Sequence, residues 1–360
     1  MTIFGVAGCT GLIFTALGLH DALGSVTQKQ FGTVYKSDAT IDFRIGEGDS
    51  LDDFTARVAS YDDVAGLTLI NQRSMRISSP ELTKDISLIV VFDPPVLGDF
   101  IQLRSRRSGI SPSTSYTLTD EGVILTEQIA RQFGVGVGGS INLRTLEGES
   151  ASFTVIGIIE NYTMHYCYIT PNAYASAFGD TPKPNRMFVR TLSGTGDMPQ
   201  SLVDDSAVRS IMYTRKLAND VANQLDVLTF VVVILIISAG ILIFVVLFSL
   251  NTINIEERRR ELASIKVLGF YDGELATYIY RENIILTTVG AAFGILLGIL
   301  LQRYIITTLE IDMFMFSRDL FWTTYAISLA LTFVFAAFVN LIMYRPLTRI
   351  NMVEALKAVE

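Results

Sequence analysis

Histidine and cysteine are almost absent from this chain of 360 residues, and each scarcity excludes a class of chemistry. The two histidines, His20 and His165, lie far apart, and neither has a second metal ligand at the spacing of a zinc site. The two cysteines, Cys9 and Cys167, are equally distant from one another, and Cys9 lies inside an apolar run. This placement favours two unpaired thiols over a structural disulfide. We therefore expect no metal centre and no disulfide framework.

Charged residues are also scarce, at 18% of the chain against the roughly 25% of an average soluble domain. Hydrophobic residues make up 50% of the chain, and the mean hydropathy is +0.42. This balance indicates a membrane protein. The formal net charge of −8 has the wrong sign for a nucleic-acid partner, so none is expected.

A nucleotide-binding motif is missing as well. The sequence contains no GxxxxGK[ST], the loop that holds phosphates in P-loop ATPases. The glycine run GVGVGG at 134–139 has neither the lysine nor the hydroxyl residue that such a loop needs, and it is typical of turns. We expect this chain to carry no cofactor, no catalytic residues and no ATPase activity of its own.

Four apolar segments are each long enough to cross a bilayer, which takes roughly 20 residues of helix. They cover residues 1–19, 227–250, 284–306 and 321–344. The first lacks the basic flank of a cleaved signal peptide, so an anchored span is the favoured interpretation. The predicted fold class is a polytopic α-helical membrane protein with four transmembrane helices and a large extracytoplasmic domain between spans one and two.

Basic residues in the short loops predict the orientation of the spans. The loop 251–283 carries Arg258, Arg259, Arg260, Lys266 and Arg281, and the tail 345–360 carries Arg345, Arg349 and Lys357. Both are therefore predicted to be cytoplasmic, with both termini inside. Residues 20–226 and the short loop 307–320 are then predicted to lie outside.

The outer domain has a mixed α/β pattern. Alternating apolar residues predict strands over 39–45 and 152–160. Helical spacing predicts short helices over 49–61, 124–134 and 171–179, the last beginning at a proline and closed by a glycine. The stretch 193–200 is expected to be a loop.

The stretch NIEERRRELASIKVLGF at 254–270 places a dense charge cluster directly after an uncharged span. Ile255, Leu262, Ile265 and Leu268 fall on one side of a helix over 255–268, and Gly269 stands at its expected C-terminal cap. Two interpretations follow. Either the basic residues serve only to set the topology of the span, or the apolar stripe docks into a soluble partner while the charges set the register.

The longer stretch NIEERRRELASIKVLGFYDGELATYIYREN resembles the signature of the FtsX-like, MacB-type permeases of ABC transporters. The tail RINMVEALKAVE resembles the C-terminus of the same family, and GVILTEQIARQFGVGVGGSI and FTVIGIIENY resemble its extracytoplasmic domain. The order of one span, a large outer domain and three further spans also agrees with that family.

The resemblance implies a permease subunit in the cell membrane of a bacterium, coupled to a separate ABC ATPase subunit that binds the ATP. It implies pairing with a second permease unit, as a homodimer, a heterodimer or the other half of a longer two-unit chain. It assigns the coupling role to Glu257, Arg258, Glu261, Lys266, Leu268 and Gly269. The helical pattern adds Arg260, Leu262 and Ile265 to this candidate ATPase-coupling site.

The resemblance leaves two functions open. One is the export or extraction of a peptide, lipid or drug, and the other is regulation of an extracytoplasmic hydrolase or a sensor kinase by movement alone. Within the spans, glycines predicted to let helices approach closely are Gly290, Gly294, Gly298, Gly5 and Gly8. Their partner is either a helix of the same chain or a second subunit. Asn340 in the fourth span either bonds a neighbouring helix or marks a substrate path.

Overall fold

The computed structural model describes residues 2–46, 49–106, 113–258, 261, 264–265, 268, 271–309 and 314–348. The chain separates into two compact units. The membrane unit consists of Met1–Gly24, Leu225–Glu310 and Ser317–Glu360, and the outer unit of Ser25–Gln224 and Ile311–Phe316.

The outer unit is built on nine β-strands. Their bounds are β1 Ala39–Phe43, β2 Val64–Ser78, β3 Thr83–Val91, β4 Val123–Thr126, β5 Ser140–Arg144, β6 Ser150–Ile159, β7 Tyr166–Ile169, β8 Arg186–Thr191 and β9 Val208–Tyr213. They follow the order β3-β7-β4-β6-β5-β2-β8-β1-β9, with β3 also paired to β2. That extra pairing closes β2, β3, β7, β4, β6 and β5 into a ring, which leaves none of these six strands with a free edge.

The long strand β2 belongs to both parts of this sheet. Residues 64–70 pair with β8, and residues 70–78 pair with β3. On β2 and β3 every second side chain points into the ring, among them Met75, Ile77, Ile86, Leu88 and Val90. The ring therefore encloses an apolar core of its own, which Cys167 and Tyr174 complete.

In the described part of the outer unit, five short helices surround the sheet. They are α2 Leu51–Ala59, α3 Pro94–Leu97, α4 Glu127–Gln132, α5 Pro171–Phe178 and α6 Gln200–Val203. The Ser50 hydroxyl accepts a hydrogen bond from the Asp53 backbone N–H and caps α2. Phe54 and Val58, one turn apart on α2, pack with Ile41, Phe43 and Leu202 into a second core over the β2–β8–β1–β9 part of the sheet.

The strands predicted over 39–45 and 152–160 and the helices predicted over 49–61 and 171–179 are confirmed, with ends that shift by a few residues. Gly179 has a φ of 74°, the left-handed conformation that lets glycine end α5. The helix predicted over 124–134 is wrong in its first half, because residues 123–126 form β4. Val123, Ile124 and Leu125 are completely buried between β6 and β7, and this pairing overrides the helical spacing.

The membrane unit contains four long apolar helices, each long enough to cross a membrane. Their bounds are α1 Thr2–Lys29, α7 Thr214–Glu257, α8 Asp272–Leu309 and α9 Trp322–Thr348, and a π-helical segment, Gln30–Val34, follows α1. The predicted fold class, four transmembrane helices with a mixed α/β domain between the first two, is confirmed.

Two of these helices extend well beyond the predicted spans. The helix α1 continues past residue 19 to Lys29, and α7 begins at Thr214 rather than near 227. Leu217, Val221 and Leu225 recur every fourth residue along the start of α7, so the helical pattern precedes the uncharged run. The boundary between the two units falls inside both helices.

A core of side chains from α1, α7 and α9 stabilises the membrane unit. It contains Val6, Cys9, Ile13, Ile243, Leu247, Val339 and Met343. Cys9 and Cys167 are both buried and unpaired, as the sequence predicted, and burial raises the pKa of the Cys167 thiol in the outer unit.

Candidate functional site

The structure describes part of the predicted ATPase-coupling segment. Glu257 is the last residue of α7, Arg258 lies in a turn, and Glu261 and Ile265 are helical. The backbone N–H of Leu268 donates to the Ser264 carbonyl, which closes a further helical turn. Arg260, Leu262, Lys266 and Gly269 lie outside the described residues.

The apolar side chains of this segment do not all face the same way. Ile255 is buried in the core of the membrane unit at the end of α7, and Ile265 packs against the same core. Leu268, in contrast, is 79% exposed, and the neighbouring Tyr271 is 80% exposed. Ile265 therefore serves the chain's own packing, and Leu268 with Tyr271 forms the apolar surface that a partner can reach.

Charged and polar contacts hold the segment to the start of α8. The Arg258 guanidinium forms an ion pair with the Glu282 carboxylate. The Glu274 carboxylate accepts a hydrogen bond from the Tyr271 backbone N–H at 3.0 Å, next to Asp272, at which α8 begins. The turn that carries Leu268 is thus attached at both ends to long helices of the membrane unit.

Asn340 on α9 joins three helices. Its side-chain oxygen accepts hydrogen bonds from the Asn251 amide at 3.4 Å and the Asn283 amide at 3.2 Å, and its backbone carbonyl accepts one from the Tyr280 hydroxyl at 2.8 Å. Asn251 belongs to α7, and Tyr280 and Asn283 belong to α8. These contacts lie close to the Arg258–Glu282 pair, since Glu282 and Asn283 are consecutive residues of α8. The sequence left open whether Asn340 bonds a neighbouring helix or marks a substrate path, and these contacts favour the bond to neighbouring helices.

Replacing Asn340 by leucine is expected to destabilise the membrane unit by about 1–2 kcal/mol, because two amide groups lose their acceptor in apolar surroundings. Thermal unfolding in lipid nanodiscs measures the change. Thr288→Val is the matched control, since the Thr288 hydroxyl bonds only the Ile284 carbonyl of its own helix and is exposed. Equal stability of the two variants would contradict the role assigned to Asn340.

The predicted packing glycines fall into two groups. A Cβ added to Gly290 or Gly294 would lie within 3.0 Å of α1 atoms, and one added to Gly298 would lie 2.8 Å from the Phe14 ring. Gly5 meets Val246 and Leu250 of α7 in the same way. These four glycines contact helices of the same chain. Gly8 differs, because a Cβ there has no neighbour within 4 Å in the described structure.

Threonines that the sequence analysis did not single out accompany the glycine ridge. The Thr10 hydroxyl lies 3.2 Å from the Thr332 hydroxyl, and the Thr15 hydroxyl donates to the Gly298 carbonyl at 3.3 Å. Small polar residues opposite small residues are typical of close helix contacts in membranes. In the sequence, Thr10 and Thr15 lie close to Gly8 and Gly11 of the first span. This closeness was the signal that could have identified them.

A second missed feature lies in the connection between α8 and α9. Residues 314–316 belong to the outer unit, where Phe314 forms a β-bridge with Thr163. The Met315 N–H donates to the Tyr162 carbonyl at 3.0 Å, and the Arg106 guanidinium donates to the Phe316 carbonyl at 2.9 Å. The continuous apolar run MFMF was the available signal, in a stretch predicted to be only a short loop.

Charged residues support this attachment. Arg106 also faces Glu127 at 3.6 Å, and the Tyr162 hydroxyl donates to the Glu160 carboxylate at 2.8 Å. Burial, together with the Glu160 charge, raises the pKa of Tyr162, so its hydroxyl stays protonated and remains a donor. Three parts of the chain run from the membrane unit into the outer unit: α1, α7 and the α8–α9 connection.

The four apolar helices and the mixed α/β domain define a multi-pass membrane protein of the cell membrane. Two family models match it: the MacB-like periplasmic core domain over residues 1–201, and the FtsX-like permease C-terminal over residues 230–352. Since the first alone covers more than half of the chain, the protein belongs to the FtsX-like, MacB-type permease family of ABC transporters. No curated protein matches the chain.

Two solved structures show similarity to the outer unit. The periplasmic region of MacB from Actinobacillus actinomycetemcomitans is 11% identical, over 52% of this chain and 94% of its own, with a TM-score of 0.32. The extracellular domain of the ABC-type transporter YknZ from Gram-positive bacteria is 17% identical, over 50% and 93% of the two chains, with a TM-score of 0.31. At such TM-scores the likeness carries no argument about function.

Proposed function

We propose that this chain is a permease subunit that couples ATP hydrolysis on a separate ATPase subunit to movement of its outer domain. The ATPase docks on the cytoplasmic segment around Leu268, and a second permease unit completes the transporter. The work done outside is the export or extraction of a peptide, lipid or drug. Both termini of the chain lie in the cytoplasm.

The exposure of Leu268 is the observation that carries this proposal. A leucine that is 79% exposed on a helical turn, three residues before the exposed Tyr271, offers apolar surface that the groove of a soluble partner can take. Ile255 and Ile265 pack into the membrane unit, so a force applied at Leu268 acts on a turn that is firmly attached.

One continuous helix leads from the docking segment to the outer unit, and this supports the proposed transmission of movement. The segment around Leu268 follows α7 directly, and α7 runs without a break from Glu257 back to Thr214 in the outer unit. A helix is stiff along its axis because every turn is hydrogen-bonded, so α7 is suited to carry a displacement over its length. The proposal therefore needs no substrate path through the bilayer.

The experiment uses two leucines of similar exposure. Leu192 in the outer unit is 73% exposed, and the native thiols Cys9 and Cys167 are buried. In whole cells, an impermeant maleimide is expected to label the Leu192→Cys variant at once and the Leu268→Cys variant only after permeabilisation. Added ATPase subunit is expected to protect Leu268→Cys and to leave Leu192→Cys reactive.

Labelling of Leu268→Cys from outside intact cells would overturn the proposed orientation. Undiminished labelling in the presence of the ATPase subunit, under conditions in which the two subunits co-purify, would overturn docking at this turn.

A further inference from the structure

A cavity of about 320 Å³ lies within the outer unit. The surface of its wall is mainly apolar, although polar residues line it as well. The apolar side chains come from the segment after α1, the loop before β7, two strands and the start of α7. Those used in the argument are Phe31, Met164, Phe188, Met212, Leu217 and Val221. A mostly apolar cavity of this volume with a few polar groups has the properties of a small-molecule site.

The polar groups of the cavity centre on Arg186 of β8. Its guanidinium donates to the Asp42 carboxylate at 2.9 Å and to the Gln72 side-chain oxygen at 2.6 Å. The Gln72 amide in turn donates to the Ser87 hydroxyl at 3.3 Å. Because Asp42 neutralises Arg186, this end of the cavity offers hydrogen-bonding groups without a net positive charge.

The remaining titratable groups of the wall point to the same conclusion. Burial raises the pKa values of Tyr35 and Tyr166, so both hydroxyl groups stay neutral. Asp220 on α7 adds a carboxylate to the wall. An anionic ligand would therefore find no unpaired cation among the described lining residues, and it would face the negative charge of Asp220.

Two unusual backbone conformations meet at this cavity. Phe31 belongs to the π-helical segment Gln30–Val34, a rare conformation that often marks functional sites. Met164 has a φ of 61° and is the one non-glycine residue with a positive φ in the part of the chain that the structure describes. Strain of this kind persists only where the surroundings enforce it.

A set of hydrogen bonds around Gln30 and Asn161 holds both the π-helical segment and Met164 in these conformations. The Gln30 amide donates to the Asn161 side-chain oxygen at 2.8 Å, and the Gln30 side-chain oxygen accepts from the Tyr162 backbone N–H at 2.7 Å. Asn161 also donates to the Met164 carbonyl at 3.0 Å. These hydrogen bonds thus fix Phe31 and Met164 as opposite parts of one preformed wall.

We propose that this cavity binds an uncharged amphiphile that has one apolar chain and a carbonyl group. The chain lies between Phe31, Met164 and Leu217, and the carbonyl oxygen accepts hydrogen bonds at the Arg186 and Gln72 end. The cavity volume lies at the lower end of the roughly 300–1,000 Å³ of small-molecule sites, so the ligand is small. The idea that this ligand is a transported substrate rests on the proposed function. Binding of the ligand to the cavity does not require the ATPase subunit.

The test uses the full chain in phosphatidylcholine nanodiscs and a photoreactive decanamide with a diazirine in its chain. After irradiation, mass spectrometry is expected to find the label on peptides that contain Met164 or Met212, and unlabelled decanamide is expected to suppress it. Label on the predicted spans serves as an internal reference for membrane-dissolved probe. The corresponding decanoate probe is expected to label the outer-unit peptides several-fold less.

Leu217→Trp narrows the cavity and is expected to lower that labelling about tenfold, which corresponds to losing contact with roughly two methylene groups. Asn219→Trp, at an exposed position of the same helix outside the lining, is expected to leave it unchanged. Labelling confined to the spans, insensitive to the competitor, or equal for the carboxylate would overturn the proposal. If Leu217→Trp does not fold, the competition experiment on the unaltered chain still tests the binding proposal. The coupling proposal is tested separately, by the labelling of Leu268→Cys.

Discussion

The Leu268→Asp variant is expected to lose nearly all stimulation of its ATPase partner and nearly all transport. Burial of a leucine at an interface contributes about 1.5–3 kcal/mol, and a carboxylate in the same place adds a desolvation cost. A loss of about 3 kcal/mol weakens docking roughly 100-fold. ATPase assays on the reconstituted complex, at subunit concentrations near the dissociation constant of the unaltered pair, measure the change.

A graded series separates docking from folding. Leu268→Ala is expected to give an intermediate loss, because it removes apolar area without adding a charge. Leu192→Asp makes the same substitution at an exposed leucine of the outer unit and is expected to leave ATPase stimulation unchanged. Thermal unfolding of all three variants is expected to match that of the unaltered chain. Full ATPase stimulation by Leu268→Asp would contradict the assignment of Leu268 as the anchor.

The Gly294→Ala variant is expected to lose about 3 kcal/mol of stability, the upper end of the usual cost of overpacking. The added Cβ would lie 2.6 Å from the Thr10 Cβ and 2.8 Å from the Ala7 carbonyl oxygen. A backbone atom cannot move aside as the end of a flexible side chain does, so α1 and α8 must separate. Thermal unfolding in nanodiscs measures the loss.

Gly8→Ala is the matched control for this prediction. Gly8 lies on α1, the helix that Gly294 of α8 contacts, but an added Cβ at Gly8 meets nothing within 4 Å in the described structure. Alanine also favours the helix over glycine, so Gly8→Ala is expected to be neutral or slightly stabilising. Equal losses for the two variants would contradict the close approach of α1 and α8 at Gly294.

Local sequence patterns predicted the elements whose stability is local. Helical spacing over 49–61 identified α2, and Pro171 with Gly179 identified α5, because helix periodicity and caps involve residues close together in the chain. Uncharged runs identified the four long helices for the same reason. Residues 123–126 were predicted wrongly, since β4 is set by pairing with β6 and β7, whose residues lie elsewhere in the chain.

The sequence predicted the segment that forms the candidate site, but only the structure showed which of its residues are buried and which are exposed. Ile265 and Leu268 belong to the same predicted apolar stripe, because helical spacing cannot show which side chain packs into the core of the chain. Packing placed Ile265 against the membrane core and left Leu268 exposed. In the same way, only the contacts distinguish Gly294, pressed against α1, from Gly8, which has no close neighbour among the described residues.

Composition and periodicity by themselves determined that this chain is a four-span membrane protein with a mixed α/β outer domain and a dense charge cluster after the second span. Those properties follow from the transfer of apolar residues out of water and from hydrogen bonds between residues close in the chain. The tertiary structure decided which residues meet. The closed ring of strands, the Asn340 contacts and the cavity beside Phe31, Met164 and Arg186 all join segments far apart in sequence. Such contacts depend on the packing of the whole unit, and no local pattern encodes them.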